Sequence, residues 1–326
     1  VSDRRGAVVA VDIGGTTLKA MAVDGSGTVL DRRVVATPAG AEAVVDGLVT
    51  VVGELRDALT ERGLPLTRLG VACPGVVDPV TGRVAFAANL GWHGLPLRDH
   101  LTARFGVEVA IENDARTGAI AEHALARPAD ADDLAFVPVG TGVAAAYYVA
   151  GVLARGATTS AGELGHVTAV HDGELCTCGR RGCVEVYTSA ANILARYTRR
   201  GGVESSTPAI IAAVPDDALA AQVWHEAIDA LAVGLASVVT LLDPSRIVIG
   251  GGLSLAGDEL LVPLRRRLAR EVAWRAAPPL DTSLLGSHST LVGAALLGWQ
   301  AAAGDVRDAV RRLAGQLHEA EGLPLP

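Results

Sequence analysis

A strand-forming run that breaks on glycines, resumes and breaks again occurs twice in this chain, and it constrains the fold more than any other feature. Ala7 to Asp12 is apolar and breaks at Gly14-Gly15. Leu18 to Val23 resumes, Gly25-Ser26-Gly27 turns the chain, and Val29 to Ala36 makes a third strand. Such alternation predicts an antiparallel meander. The pattern restarts at Leu134 to Val139, with Gly140-Thr141-Gly142 as the turn, Val143 to Val149 as the next strand and Gly151 as the next turn. A repeated supersecondary pattern predicts two similar lobes. At 326 residues and 50% hydrophobic content, the chain is long enough to bury both.

Helices are expected between these runs. From Ala41 to about Arg62, Val44, Val45, Leu48, Val51, Val52, Leu55 and Leu59 keep helical spacing. Leu69 to Val77 reads as a strand interrupted by Cys73-Pro74-Gly75, and Leu95 to Phe105 as a helix. Val107 to Ile111 reads as a strand running into Glu112-Asn113-Asp114 and a helix to about Ala126. Asp217 to Leu242 is an expected helix before the strand Arg246 to Ile249, which ends on Gly250-Gly251-Gly252. Helices follow around Asp258 to Trp274 and Thr290 to Ala303, then a charged amphipathic helix and a GLPLP end expected to fray.

Charge and composition exclude several function classes. The net charge of -8 repels phosphodiester backbones, so no nucleic-acid partner is expected. The longest apolar stretch, Ala230 to Leu242, is shorter than a bilayer requires and ends at Asp243-Pro244, so no membrane span is expected. The N-terminal residues lack the apolar core of a signal peptide, which predicts a cytoplasmic protein. Three of the four cysteines crowd into Cys176, Cys178 and Cys183, which suits a metal better than a disulfide framework.

The glycine turns suggest phosphate binding. In Asp12-Ile13-Gly14-Gly15-Thr16-Thr17, glycines let backbone N–H groups approach an anion, Thr16 and Thr17 add hydroxyls, and Asp12 could hold a magnesium ion. Of 28 basic residues only Lys19 is lysine. It shares a strand face with Thr17, and its compact charge suits a phosphate. A plain hairpin is the competing reading of this turn. Gly140-Thr141-Gly142 and Gly250-Gly251-Gly252 also follow apolar strands, where α/β proteins bind nucleotides. Gly140 to Ala145 fits the dinucleotide fingerprint too, but the stretch to Gly151 is too short for the helix that fingerprint needs, and no Walker motif is present.

Two further clusters carry chemistry. Asp114 follows a strand end, where a carboxylate can accept the proton of an attacking hydroxyl while Asn113 orients the substrate. Asn-Asp is equally a common helix N-cap pair, and the triplet alone favours the cap. His166 with Cys176, Cys178 and Cys183 makes the Cys₃His set of a closed structural zinc site. Glu163 and Glu185 flank these ligands. A zinc that ties the segments together would hold both carboxylates rigidly enough to grip polyol hydroxyls, whereas either glutamate alone reads as surface.

Taken in order, DIGGTT at Asp12, CPGVVD at Cys73, NLGW at Asn89, ENDA at Glu112, GTG at Gly140, AGELGH at Ala161, CTCGRRGCVE at Cys176 and IVIGGG at Ile247 resemble the ROK family of sugar kinases and repressors. The likeness covers most of the chain and is greatest to the family's bacterial glucokinases. It implies an α/β, actin-like ATPase (ribonuclease H-like) fold with two lobes around a nucleotide cleft. The expected lobes are residues 1–114, and 115–326 with the option that the last helix returns to the first lobe. The resemblance also implies transfer of the ATP γ-phosphate to the primary (6-position) hydroxyl of a hexose, glucose first, or of a related cyclitol or amino sugar. It implies Asp114 as base, with Gly75, Asn89, Asn113, Glu163, His166 and Glu185 as sugar ligands. ATP and Mg²⁺ would meet Asp12, Gly14, Gly15, Thr16, Thr17, Lys19, Gly140, Thr141, Gly142, Gly251 and Gly252. Zn²⁺ would sit on His166, Cys176, Cys178 and Cys183. Homodimers or homotetramers are expected. The sugar-sensing repressors of the family carry an N-terminal helix-turn-helix; with eleven residues before Asp12 and an acidic net charge, a kinase rather than a repressor is expected, and specific DNA binding would revive the repressor reading. Two departures stand out. Thr17 occupies a position where the family often has lysine, and Ala144-Ala145-Ala146 replaces further glycines. The alanine methyls are expected to narrow the phosphate pocket, leaving polyphosphate as an alternative donor.

Overall fold

Strand-forming residues meet glycine-rich turns at the start of the chain, and three strands form there: β1 (Ala7–Ile13), β2 (Thr17–Asp24) and β3 (Val29–Ala36). In this computed structural model, which describes residues 6–126, 132–299 and 306–321, they pair antiparallel as the sequence predicts. Helix α1 (Ala41–Glu61) follows and buries Val44, Leu48, Val51, Val52, Leu55 and Leu59. These residues recur at helical spacing and join Val9, Val11, Leu18 and Ala20 in one core. Strand β4 (Leu66–Cys73) runs parallel to β1. The expected interruption at Pro74-Gly75 is a real break. Beyond it, β5 (Val76–Asp78), β6 (Arg83–Ala87) and β7 (Trp92–Leu95) form a small separate sheet that the sequence reading missed. Helix α2 (Leu97–Phe105), strand β8 (Glu108–Asn113) and helix α3 (Asp114–Leu125) complete this stretch.

The second meander has the same plan. Strands β9 (Leu134–Pro138), β10 (Ala146–Val149) and β11 (Val152–Leu153) pair antiparallel. After the cysteine segment come helices α4 (Val184–Thr188), α5 (Ala190–Arg199) and α6 (Thr207–Ala213), none of them expected from the sequence. Helix α7 (Ala218–Leu242) starts on Asp217, whose carboxylate accepts from the Leu219 and Ala220 amides. By length and composition α7 could cross a membrane, which corrects the shorter span read from the sequence; half of its most apolar stretch is nevertheless buried. Val223, Ala227, Leu231 and Leu235 fill the core around β9 and strand β12 (Arg246–Gly250). Helix α8 (Asp258–Glu271) and strand β13 (Leu280–Thr282) follow. The chain ends in helices α9 (Ser289–Gly298) and α10 (Val306–Glu321). The GLPLP terminus lies outside the described residues.

The two main sheets have identical topology. Their strand orders are β3-β2-β1-β4-β8 and β11-β10-β9-β12-β13, in each case an antiparallel meander extended by two parallel strands. The repeat read from the glycine turns is therefore a repeat of the whole sheet. Residues 6–126 pack with 288–299 and 306–321 as one unit, and 132–287 form the other. Asp114, the last residue of the expected first lobe, thus opens a helix that belongs wholly to the first unit, and α9 and α10 belong with it as well.

Helix α9 fixes α3 through backbone contact. A Cβ on Gly293 would fall 1.9 Å from the Thr117 carbonyl oxygen, and one on Gly70 of β4 would fall 1.9 Å from that of Ala294. No larger residue fits either place. This packing holds the helix whose first residue is Asp114.

Candidate active site

In the first unit, the parallel strands β1, β4 and β8 end side by side. The register aligns Asp12 with Ala72, and Cys73 with Asn113. The C-terminal ends of parallel strands gather backbone and side-chain groups without covering them, which is why such ends host ligand sites. Here they gather Asp12, Cys73, Asn113 and Asp114.

Asn113 caps α3, its side-chain oxygen accepting from the Arg116 amide at 3.1 Å. The capping reading of the Asn-Asp pair is therefore correct, and it does not compete with chemistry. The capping amide also donates to Asp114 Oδ1 at 2.9 Å and to the Gly75 carbonyl at 3.0 Å. Asp114 Oδ1 further accepts from the Ala115 amide at 2.8 Å. Asn113 thus orients the Asp114 carboxylate, and Gly75, at φ 89°, turns its carbonyl onto Asn113.

Two residues that the sequence reading passed over lock this corner. Glu112 and Arg116 form an ion pair at 2.7 Å, with side chains only 1% and 2% exposed. Glu112 Oε1 also accepts from the Asn113 amide at 2.8 Å, and Arg116 donates to the Val77 carbonyl at 3.3 Å.

Asp12 faces Lys19 across the β1–β2 pair. Enclosure of its carboxyl pushes its pKa up to about 6; Lys19 opposes that rise and the Asp114 charge adds to it. Burial first, and then the Asp114 charge, likewise keep Cys73 a thiol, well above its usual range. A carboxyl that holds its proton this tightly suits a divalent cation, whose charge would favour its ionised form. The folded protein binds the Asp12 proton more tightly than the unfolded chain does. Asp12 therefore favours folding below about pH 4, and that contribution is lost as pH rises through about 6. Asp12→Asn is expected to stabilise the ligand-free protein above pH 6 by about 1–2 kcal/mol. Thermal melts from pH 4 to 8 check this, and identical pH dependence in both proteins would count against it.

The first turn is closed by Gly14, whose amide donates to the Thr17 carbonyl at 2.9 Å, and Thr37 donates to the Gly14 carbonyl at 2.7 Å. Gly15 and Thr16 are exposed. Lys19 lies on the Thr17 face of β2, as expected; its charge acts on Asp12 and also on His288 and Glu321. Asn89 stands beside the turn, since a Cβ on Gly15 would fall 3.3 Å from its amide nitrogen.

In the second unit three motif segments form one hydrogen-bonded body. The Gly165 amide donates to the Val143 carbonyl at 3.2 Å, Ala145 to Gly162 at 2.7 Å, and Ala190 to Gly140 at 2.8 Å. Glu185 Oε2 accepts from the Val143 amide at 2.9 Å. The Gly250–Gly252 turn joins the same body: Val139 donates to Gly250 at 2.9 Å and Leu253 donates to Val139 at 3.0 Å. Gly251, at φ 73°, has room only for hydrogen against Val139. Thr141 is exposed on the GTG turn. Of the three alanines after that turn, expected to narrow a phosphate pocket, Ala144 is half-buried and the other two are enclosed. Ala145 and Ala146 are 2% and 1% exposed, so their methyls are buried, and Ala145 belongs to the core.

His166, Cys176, Cys178 and Cys183 each offer one ligand atom, all within 4.8 Å of one another. Cys178 Sγ lies 3.7 Å from Cys183 Sγ, and Cys176 Sγ 3.9 Å from His166 Nδ1. A tetrahedral zinc with bonds of about 2.3 Å has edges of about 3.8 Å, so this donor set fits zinc. Burial and the neighbouring thiols push Cys183 up to about 12, while the Arg180 amide helps to hold Cys178 down. His166 Nε2 is 3.9 Å from Glu163 Oε2, so the imidazole turns one nitrogen to the thiols and the other to the carboxylate.

Duplicated meander-plus-two sheets, each with a glycine turn after its first strand, define the class: an α/β protein of the actin-like ATPase fold. The ROK family model matches residues 8–301, and the chain belongs to that family. It is 31% identical to a glucokinase of Streptomyces coelicolor over 311 residues, covering 89% of this chain and 96% of the relative. It is 34% identical to an N-acetylmannosamine kinase of Citrobacter koseri over 297 residues, covering 89% and 97%. A ROK glucokinase of Streptomyces griseus, solved with glucose and AMPPNP, superimposes with a TM-score of 0.78 at 32% identity, covering 91% of this chain and all of that one.

Proposed function

We propose that this protein transfers the γ-phosphate of ATP to the primary, 6-position hydroxyl of a hexose, glucose first, with Asp114 as the general base. The chain is an ATP-dependent carbohydrate kinase. The observation that carries the base assignment is the Asp114 carboxylate, held at the end of β8 by Asn113 and the α3 backbone. A carboxylate fixed in this way can take a hydroxyl proton as the new P–O bond forms. The similarity to a glucokinase solved with glucose and a nucleotide analogue supports the acceptor and the donor.

In this reading Gly75, Asn89, Asn113, Glu163, His166 and Glu185 hold acceptor hydroxyls, and Gly75 and Asn113 also set the base. Backbone N–H groups of Gly14–Thr17 and Gly140–Gly142, with Lys19, meet the phosphates, and Gly251-Gly252 the adenosine side. Asp12 would hold Mg²⁺, which supplies charge neutralisation at the phosphates. Zinc on the Cys₃His set would be structural, since four protein ligands leave no open position. An amino sugar is the second reading, favoured by the similarity to an N-acetylmannosamine kinase. Cytoplasmic location and a homodimer or homotetramer belong to the same family-based reading, and light scattering tests the latter.

The test is coupled ADP release across hexoses, amino sugars and cyclitols, with ATP and then polyphosphate as donor. Glucose is expected to turn over best. Inert glucose and mannose beside an active amino sugar or cyclitol would replace the hexose reading. Metal analysis is expected to give one zinc per chain, and Cys178→Ser to lose both the zinc and sugar affinity. A wild-type protein purified without zinc would remove the metal assignment.

A further inference from the structure

Glu185 touches more than the acceptor side of its unit. Its Oε2 is the hydrogen-bond acceptor for the Val143 amide at 2.9 Å, across 42 residues of sequence. The same oxygen sits where a side chain on Gly142 would have to go, 2.9 Å from an ideal Cβ there, and 3.3 Å from one on Gly165. The backbone at Gly142 is not in the left-handed region, so its conformation does not demand glycine. What a methyl there would meet is the carboxylate, which would have to move aside. Helix α4, which carries Glu185, is anchored at both ends. Cys183, a zinc-set residue, immediately precedes it, and beyond it the Asn192 side chain donates to the Glu185 carbonyl at 3.1 Å. A shift of the carboxylate would therefore break its bond to the turn.

We propose that Glu185 is a positioning residue for the phosphate turn Gly140–Val143 as well as an acceptor ligand, so that one carboxylate sets both the grip on the sugar and the shape of the donor loop. The inference rests on the kinase reading above and adds a coupling to it. A hydroxyl hydrogen-bonding to Glu185 draws on the same charge that holds the Val143 amide, so acceptor occupancy is felt at the turn. In the first unit Asn89 stands against Gly15 in the same relation, an acceptor-ligand side chain against the glycine of a phosphate turn.

The test measures Mg-ATP affinity by calorimetry in the absence of any sugar, where a residue that only binds sugar has no effect. Glu185→Ala is expected to weaken Mg-ATP about tenfold or more, the worth of a hydrogen bond to a charged acceptor. Glu185→Gln keeps an acceptor oxygen for Val143. It is expected to restore Mg-ATP affinity to within about threefold of wild type while glucose affinity stays weak. Gly142→Ala covers the case in which Glu185→Ala fails to fold. Its methyl must displace the carboxylate, so glucose affinity is expected to fall although the residue lies in the donor turn. Unchanged Mg-ATP affinity in folded Glu185→Ala, or unchanged glucose affinity in Gly142→Ala, would overturn the coupling and leave the kinase reading intact. Wild-type protein that neither binds Mg-ATP nor phosphorylates any polyol would sink the kinase reading itself.

Discussion

Asp114→Asn is expected to lower kcat by about 10²–10⁴-fold, the usual worth of a general base, while the protein folds and binds Mg-ATP as before. The substitution is nearly isosteric. An asparagine oxygen can still accept from the Ala115 amide and from the Asn113 side chain, so the start of α3 keeps its geometry. The amide cannot take up a proton at any working pH. The loss should therefore appear in kcat, with the Mg-ATP dissociation constant unchanged. Steady-state ADP release beside calorimetry separates the two, and turnover within a few-fold of wild type would remove Asp114 from its role.

Arg116→Met is expected to destabilise the protein by about 3–5 kcal/mol, because it strands the Glu112 carboxylate in the interior. Glu112 is 1% exposed, and its Oε1 holds both the Arg116 guanidinium and the Asn113 amide. The pair flanks the proposed base, two residues away on either side, so turnover should fall as well, through Asn113 rather than through substrate contact. Urea unfolding of Glu112→Gln, Arg116→Met and the double variant gives the coupling. A double variant as stable as wild type would show that the pair serves geometry more than stability. If Arg116→Met costs less than about 1 kcal/mol, as an exposed pair would, the two charges are not enclosed together in solution.

That pair also shows where the sequence stops being informative. Glu and Arg four residues apart at the start of a helix read as a solvated surface pair. Their burial depends on β5 and on the Val77 carbonyl, both set by a small sheet that the sequence did not announce. Strands β6 and β7 were missed because RVAFA and WHGL are short and the second contains glycine, so neither shows clear alternation. Helices α4 to α6 are short as well, and α4 starts at Val184 directly after Cys183, so little periodicity marks them.

What was legible had local causes. Glycine turns after apolar runs, a Cys₃His cluster and an Asn-Asp cap are readable because each needs only neighbours in sequence. The repeated sheet could be seen because its turns repeat. The contact between Glu185 and Val143 joins distant segments through the fold alone, and no spacing rule gives it. The burial of Ala145 and Ala146 after the GTG turn is not legible in the sequence for the same reason. Whether a methyl faces a ligand or the core is decided by the pairing of β9 with β10, which brings Ala146 opposite Phe136.

The chain enters the first unit, leaves it near residue 126, and returns at residue 288 with α9 and α10. A nascent chain on the ribosome that has emerged only to residue 287 already contains every strand of both sheets. It still lacks Gly293 and Ala294, whose backbone lies against α3 and β4. The first unit is thus completed only by residues that emerge after the second, and until they do the helix bearing Asp114 has no partner along that face.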